Sequence, residues 1–221
     1  MTNRNLNPQT IAQLARFNVN LDQWEEIRQS LYDVNAYAAA GQTQLQYFAI
    51  PRGQGGKGPA DTNMQLAGQL GTNNLMLVES IEILFFSNTP TTTAANNPAF
   101  AGVDGLSAQL NDYYFFARSG WLDFAIGQKS FLTEAPLQRF PGKTRFRLDA
   151  AYSQAGEVAD ATVRAAIGYT EGRPYLLGDT PILLIENQAF NVTLNWPAAV
   201  AITDPARVFV VLDGRFYRKA Q

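Results

Sequence analysis

Apolar and polar residues alternate along several short segments of the chain. The clearest example is the run 190–196, whose apolar members are Phe190, Val192, Leu194 and Trp196. A twofold alternation of this kind is typical of a strand with one buried face. Comparable alternating segments lie at 44–49, 77–85, 121–126, 145–150, 162–169 and 207–217. The pattern therefore predicts an all-β protein.

The spacing of these segments indicates how the strands are arranged. They are separated by loops of very unequal length and do not alternate regularly with helices, which argues against a parallel α/β sheet. About eight strands in two sheets is the number found in a jelly roll. We therefore expect an antiparallel jelly-roll sandwich with long loops. In the segment 77–85, one face is expected to carry Leu77, Ile81, Ile83 and Phe85.

Residues 1–40 have a helical period instead. Asn7 and Pro8 suit the start of a helix. Further along, apolar residues recur at spacings of three and four: Trp24, Ile27, Leu31 and Val34. We expect residues 1–40 to form an N-terminal helical arm and residues 41–221 to form the β-sandwich domain. Because short helices are marginal alone, the arm needs a partner surface, and its deletion is expected to block assembly while leaving the sandwich folded.

The composition is poor in charge. Charged residues make up 16% of the chain, against about 25% in typical soluble domains. The net charge is −2, so no basic field exists for tight nucleic-acid binding, and we expect the cations Arg215, Arg218 and Lys219 to be solvated. A surface with few charges is poorly protected against association. This favours a protein that is buried among neighbouring molecules.

The residue types needed for most chemistry are missing. The chain has no histidine and no cysteine, which excludes Ser-His-Asp and Cys-His catalysis, disulfides and thiolate metal sites. The segment from Gly53 to Gly58 differs from a phosphate-binding loop because no Ser or Thr follows Lys57, so we expect a flexible surface loop. No run of about 18 apolar residues is present to span a membrane. The polar N-terminus has no apolar signal region, and we expect the product to stay in the cytoplasm that made it.

Carboxylates are the remaining candidates for catalysis or metal binding. Glycoside hydrolysis needs two convergent carboxyl groups, and three pairs are close in sequence: Glu79 with Glu82, Asp123 with Glu134, and Glu157 with Asp160. The first pair is expected on opposite faces of one strand, and the last looks solvated. Calcium needs clustered oxygen ligands, whereas Asp104, Asp112 and Asp179 are isolated. We predict no catalytic residue, no cofactor, no metal site and no enzymatic activity.

Two segments resemble a known family of structural proteins. One begins Ser119-Gly120-Trp121-Leu122-Asp123-Phe124 and runs to Gly142, and the other runs from Pro181-Ile182-Leu183-Leu184 to Arg218. This texture is similar to that of jelly-roll capsid (coat) proteins of tailless icosahedral bacteriophages, in which a final strand closes the barrel near the C-terminus. Double jelly rolls need about sixteen strands, twice the number in one. This chain has room for one, which fits a single-jelly-roll coat subunit, a penton or a minor capsid protein.

The resemblance implies a role without catalysis. The expected function is self-assembly into an icosahedral viral shell within the virion. The expected partners are copies of the chain and other capsid subunits, with no small-molecule substrate, and the resemblance leaves room for weak contact with a genome or an internal membrane.

Two other functions fit the same composition. One is a β-protein of a phage tail, baseplate or fibre. The other is a sugar-binding β-sandwich that uses Trp121, Trp196 or the tyrosines as stacking platforms. Against the second, the aromatic run from Tyr113 to Phe116 is expected to fill a core or an interface.

Overall fold

The computed structural model describes residues 12, 14–15, 24–87, 111–142, 145–151, 162–168, 174–178 and 180–219. The strands of this part are numbered in chain order: β1 Trp24–Ile27, β2 Leu31–Tyr37, β3 Gln44–Tyr47, β4 Asn74–Ser87, β5 Trp121–Ile126, β6 Lys129–Pro136, β7 Arg145–Ala151, β8 Thr162–Gly168, β9 Tyr175–Leu176, β10 Ile182–Leu184, β11 Phe190–Asn195 and β12 Ala206–Lys219. A 3-10 turn covers Leu137–Arg139, and residues 111–118 are helical. The described chain is therefore mostly β-structure, as the alternating pattern predicts.

Two antiparallel sheets form the body of the protein. The six-stranded sheet is centred on its two longest strands, β4 and β12. β1 and β2 follow one another along the other edge of β12, and β9 and β10 do the same along the other edge of β4. The four-stranded sheet has the order β3-β11-β5-β6. β7 and β8 pair with each other as a separate hairpin.

One hydrophobic core lies between the two sheets. Val192 and Leu194 of β11 and Val208 and Val210 of β12 are fully buried in it. Aromatic rings fill both ends of this core: Tyr37, Phe116 and Trp196 at one end, and Phe48, Phe124 and Phe190 at the other. Each fully buried aromatic side chain contributes roughly 1.5–3 kcal/mol of transfer free energy. The sheets therefore form a sandwich around a shared core.

The predicted helix over residues 1–40 is wrong for residues 24–37, which form β1 and β2. The helical spacing of Leu31 and Val34 was misleading because these two residues lie on opposite faces of β2. The inner face of β2 also carries Asp33, a polar residue that breaks the alternation expected of a strand. Ala12, Leu14 and Ala15 are helical, in agreement with the prediction, and the other residues before Trp24 lie outside the described part.

This correction changes the expected effect of truncation. Leu31 and Tyr37 are buried in the shared core, and β2 pairs with β12 along its full length. A boundary at residue 40 would cut β2 from its partner. Deletion of residues 1–40 would therefore expose the core, instead of leaving an intact sandwich.

A β-bulge changes the faces predicted for β4. Asp213 pairs with Ser80 and Gly214 pairs with Val78, so Glu79 is an extra residue in β4. Leu77 consequently lies on the outer face, whereas Ile81 lies in the core. The prediction that these two residues share a face is therefore wrong. Strict alternation fails here because a bulge shifts the period by one residue.

Candidate functional site: an aromatic surface beside the end of β4

The helical segment 111–118 presents three consecutive aromatic side chains to solvent. Asp112 and Phe116, four residues apart, face inward and are buried. The Asp112 carboxylate accepts hydrogen bonds from the backbone N–H and the hydroxyl group of Thr203, both at 2.9 Å, which ties the helix to the loop before β12. The side chains between them remain 37%, 54% and 46% exposed: Tyr113, Tyr114 and Phe115.

A fourth exposed ring lies nearby on β4. Phe86 is 44% exposed and makes an edge contact with Phe209, with ring centroids 5.3 Å apart. Its neighbour in sequence, Phe85, contacts the ring of Tyr113 at 6.0 Å. The four exposed rings therefore lie near the end of β4, with Phe86 on its outer face and the helical segment on the side of Phe85, and we call them the aromatic surface: Phe86, Tyr113, Tyr114 and Phe115.

Two arginines border this aromatic surface. The guanidinium of Arg118 lies 5.9 Å from the centre of the Tyr114 ring, and that of Arg207 lies 5.3 Å from the centre of Phe209. Partial burial raises the pKa of the Tyr113 phenol, so it stays neutral at physiological pH. Aromatic residues and arginine are the types enriched where proteins bind one another. The arrangement is therefore suited to a protein contact.

The opposite end of the six-stranded sheet is covered on its outer face by the N-terminal segment. Leu14 is fully buried there against Leu75, Leu77 and Tyr217. Three partly buried residues complete this outer cluster: Trp24, Leu183 and Ile185. Burial raises the pKa of Tyr217 to about 12, and the nearby Glu26 carboxylate adds to the shift. The helix that contains Leu14 thus has an apolar partner surface within its own chain.

A buried ion pair holds the loop after β3. Asp33 is fully buried, and one of its oxygens lies 2.7 Å from the Lys57 ammonium, while the other accepts a hydrogen bond from the Phe48 backbone N–H at 2.6 Å. Burial raises the pKa of Tyr47 well above its ordinary value, and the Asp33 charge acts in the same direction. The segment from Gly53 to Gly58, expected to be a flexible surface loop, is therefore anchored in the interior through Lys57.

The same loop covers the free edge of β2, and we call residues 51–64 the strap. Asn63 donates to the Ser30 carbonyl at 2.7 Å and accepts from the Tyr32 backbone N–H at 3.0 Å. An ion pair of 2.7 Å joins Asp61 to Arg207. A hydrogen bond from the Gly58 backbone N–H is the main cause of the lowered pKa of Asp61. The strap thus forms hydrogen bonds with backbone groups at the edge of β2 that could otherwise pair with a strand of another molecule.

The carboxylates weighed as catalytic candidates have structural partners. Glu79 forms an ion pair with Arg215 at 3.0 Å, which places it on the outer face together with Glu82. The expectation that these two lie on opposite faces is wrong, because the bulge at Glu79 intervenes. Asp123 accepts a hydrogen bond from the Glu134 backbone N–H at 2.7 Å, so this pair is joined through the main chain. Glu157 and Asp160 lie outside the described residues.

The structure also shows where some of the aspartates considered for calcium and one of the C-terminal cations lie. Of the aspartates considered for calcium, Asp112 binds Thr203, and Asp104 and Asp179 lie outside the described residues. In the part of the chain that the structure describes, no group of three or more acidic side chains is placed to hold a metal ion. Arg218, expected to be solvated, lies 3.3 Å from Glu25 in an exposed ion pair.

The two tryptophans considered as stacking platforms differ in access. Trp196 is 3% exposed and donates its indole N–H to the Phe116 carbonyl at 2.8 Å, so it belongs to the core. Trp121 is partly exposed on the outer face of the four-stranded sheet. Only Trp121 remains accessible to a ligand.

Sequence reasoning missed the Asp33–Lys57 pair, because the helical interpretation of residues 24–34 gave Asp33 no special position. The aromatic surface had a signal, the run from Tyr113 to Phe116, but its link to Phe86 depends on tertiary contacts.

Among the described residues, no helix has the length and apolar character needed to cross a membrane. Comparison with known proteins found no matching family model, no matching curated protein and no matching solved structure.

Proposed function

We propose that this chain is a jelly-roll structural subunit that assembles with copies of itself, and with other capsid subunits, into an icosahedral viral shell. The observation that carries the proposal is the aromatic surface, which places large apolar rings in solvent on a sandwich with little charge. Exposed rings that lie against one another, as Tyr114 and Phe115 do with centroids 5.8 Å apart, mark contact surfaces. Low charge also reduces the cost of removing water from both partners when subunits pack.

The strand pairing supports the jelly-roll part of the proposal. A jelly roll results when a long hairpin of eight strands is rolled up, so that first pairs with eighth, second with seventh, third with sixth and fourth with fifth. Counting β2, β3, β4, β5, β6, β10, β11 and β12 as the eight, the observed pairs are β2 with β12, β3 with β11, β4 with β10, and β5 with β6. These four pairs follow the nested order.

The resemblance of residues 119–142 and 181–218 to phage coat proteins supports the viral role. A role in the virion needs neither a cofactor nor a small-molecule substrate. The proposal extends to location in the virion after synthesis in a host cell.

The test is the state of assembly of the purified chain. We expect light scattering to report large particles and electron microscopy to show closed shells. The double variant Tyr114→Ser/Phe115→Ser changes only side chains about half exposed, so it should fold normally and remain unassembled. The matched control is Leu176→Ser, which removes a side chain that is 67% exposed on β9 and should leave assembly unchanged.

Three results would contradict the proposal. A wild-type chain that stays monomeric at high concentration would refute self-assembly. Normal shells from the double variant would show that the aromatic surface is not the contact. Tubes or rings instead of closed shells would support a tail or baseplate protein and overturn the capsid assignment.

A further inference from the structure

The outer face of the four-stranded sheet is a nearly uncharged polar plate. Its inner face is apolar, but on the outside the three strands β3, β11 and β5 carry mostly amides and a hydroxyl. We call this set the polar plate: Gln44, Gln46, Asn191, Thr193, Asn195, Trp121 and Asp123. The strand register places these side chains in adjacent rows, with Asn195 between Gln44 and Trp121, and Thr193 between Gln46 and Asp123.

A hydrogen-bond network fixes one half of the polar plate. One oxygen of Asp123 accepts from the Asn195 amide at 2.8 Å and from the Trp121 indole N–H at 3.2 Å. Gln44 in turn donates to the Asn195 carbonyl oxygen at 3.0 Å. The backbone N–H of Glu134 holds the second oxygen of Asp123. The side chains are thus oriented before any ligand arrives, which lowers the entropy cost of binding.

The network also determines how the indole lies. Trp121 and Asp123 are two residues apart on the same face of β5, and the indole nitrogen reaches the carboxylate. The ring must therefore lean along the strand instead of standing away from it. Because the side chain is only partly buried, part of the indole remains accessible to solvent.

The rest of the polar plate has unused hydrogen-bonding capacity. Gln46 and Asn191 are exposed, and neither side chain has a hydrogen-bond partner among the described residues. Each amide supplies two donors and one acceptor oxygen. These two amides lie in the rows beyond the fixed indole, Gln46 two strands away and Asn191 opposite Ala125 on the same face of the sheet.

The charge of the polar plate determines which class of ligand it favours. Its one ionised side chain is Asp123, and the adjoining Glu134 on β6 is also acidic. Such a surface disfavours anionic ligands. It also lacks the several large aromatic or aliphatic groups typical of the centre of a protein interface. A pyranose ring fits better, because its C–H face packs on an aromatic ring while its hydroxyl groups bind amides.

We propose that the polar plate binds neutral glycans, with one sugar ring packed on Trp121 and bonded to the Asn195 amide, and the adjoining sugar units of the same glycan bonded to the amides of Gln44 and Gln46. This site is distinct from the aromatic surface and does not depend on shell assembly. It gives the protein a surface for recognising carbohydrate.

The test uses the full chain and a panel of neutral oligosaccharides of glucose, galactose, mannose and N-acetylglucosamine, beside uronic-acid and sialylated oligosaccharides of equal length. We expect binding to at least one neutral member, measured by calorimetry, and none to the acidic ones. Trp121→Ala should weaken that binding by at least about tenfold, and Trp121→Tyr should recover part of it. Leu176→Ala is the matched control, since it removes an exposed apolar side chain from the other sheet, and should leave binding unchanged.

A second measurement covers the case in which Trp121→Ala fails to fold. Gln46→Ala changes an exposed side chain that has no partner among the described residues and should weaken binding without affecting stability. Nuclear magnetic resonance of the wild-type chain should show the bound sugar shifting the side-chain amide signals of Gln46 and Asn195. Binding to no neutral glycan, stronger binding of acidic ones, or shifts confined to other surfaces would overturn the proposal. Loss of binding only on dilution of an oligomer would show a protein contact instead.

Discussion

The two sheets of the sandwich have similar inner faces and very different outer faces. The six-stranded sheet carries Leu75 and Leu77 on its outer face, where Leu14 covers them, and the strap covers its edge at β2. The four-stranded sheet carries amides and a hydroxyl on the outside, and among the described residues nothing covers them. The six-stranded sheet is therefore covered at these places by other parts of its own chain, whereas the outer face of the four-stranded sheet is bare in the part of the chain that the structure describes.

The burial patterns along the strands reflect this difference between the two sheets. β11 and β5 alternate strictly between buried and less buried residues, as expected when one face meets water. β4 has buried residues on both faces, including Leu75, Met76 and Leu77 in succession. Continuous burial signals that a second layer lies on the sheet. A covered face is suited to holding chain segments, whereas a bare polar face is suited to soluble ligands.

The largest expected effect on stability comes from a substitution at Gly214, which lies opposite the bulge in β4. A Cβ atom on Gly214 would lie 2.0 Å from the Leu77 carbonyl oxygen, so Gly214→Val must shift β12 against β4. We expect a loss on the order of 4 kcal/mol in the free energy of unfolding, measured by urea denaturation. Gly127→Ala, where a Cβ would contact nothing within 4 Å, should cost only about 1 kcal/mol. Equal losses would mean that the bulge is dispensable.

The next largest effect on stability is expected from a substitution in the strap. Lys57→Met would leave the Asp33 carboxylate buried without its cation, at an expected cost of about 3 kcal/mol. The strap also contains an exposed pair, Asp61 with Arg207, whose side chains are 31% and 43% accessible. Arg207→Met should therefore cost less than about 1 kcal/mol. If thermal unfolding ranks the two variants in the reverse order, the buried pair does not anchor the strap.

Matched truncations on the two outer faces compare the sheets directly. Leu14→Ala removes a fully buried side chain from the covered face and should cost about 2–3 kcal/mol in urea denaturation. Gln46→Ala shortens an exposed side chain on the bare face and should change stability by less than about 0.5 kcal/mol. Equal effects would show that the N-terminal segment contributes nothing to the covered sheet.

Alkaline pH should weaken the covered face through Tyr217. Its pKa is raised from 10.0 to about 12 in the folded protein, so the folded state holds this proton more tightly than the unfolded state. The contribution, roughly 3 kcal/mol for a shift of two units, is complete below pH 10 and is lost as the pH rises from 10 to 12. Tyr47, Tyr37 and Tyr113 have pKa values raised in the same direction and add to the fall. Tyr217→Phe should make the decline between pH 10 and 12 shallower, and an unchanged slope would contradict this assignment.

The sequence predicts the parts of the fold in which apolar residues are buried and polar residues face outward. β11 alternates strictly, and its predicted face is confirmed by the burial of Phe190, Val192 and Leu194. β2 was missed because its inward residue Asp33 is polar and is neutralised by Lys57, which lies 24 residues away along the chain. The faces of β4 were missed because a bulge leaves no mark in a single sequence except Gly214. The run from Tyr113 to Phe116 was predicted to fill a core or an interface, and it divides, with Phe116 in the core and its three neighbours in solvent.

The central position of β12 constrains how the protein is made. β12 is the last described strand in chain order, yet it pairs with β1, β2 and β4. During translation, which adds about 5–20 residues per second, these three strands wait without their shared partner until the ribosome has released it. The edge of β4 that pairs with β12 lacks its partner throughout that interval. Synthesis of this sandwich therefore includes a period in which chaperones, or crowding by other nascent copies, decide between folding and aggregation.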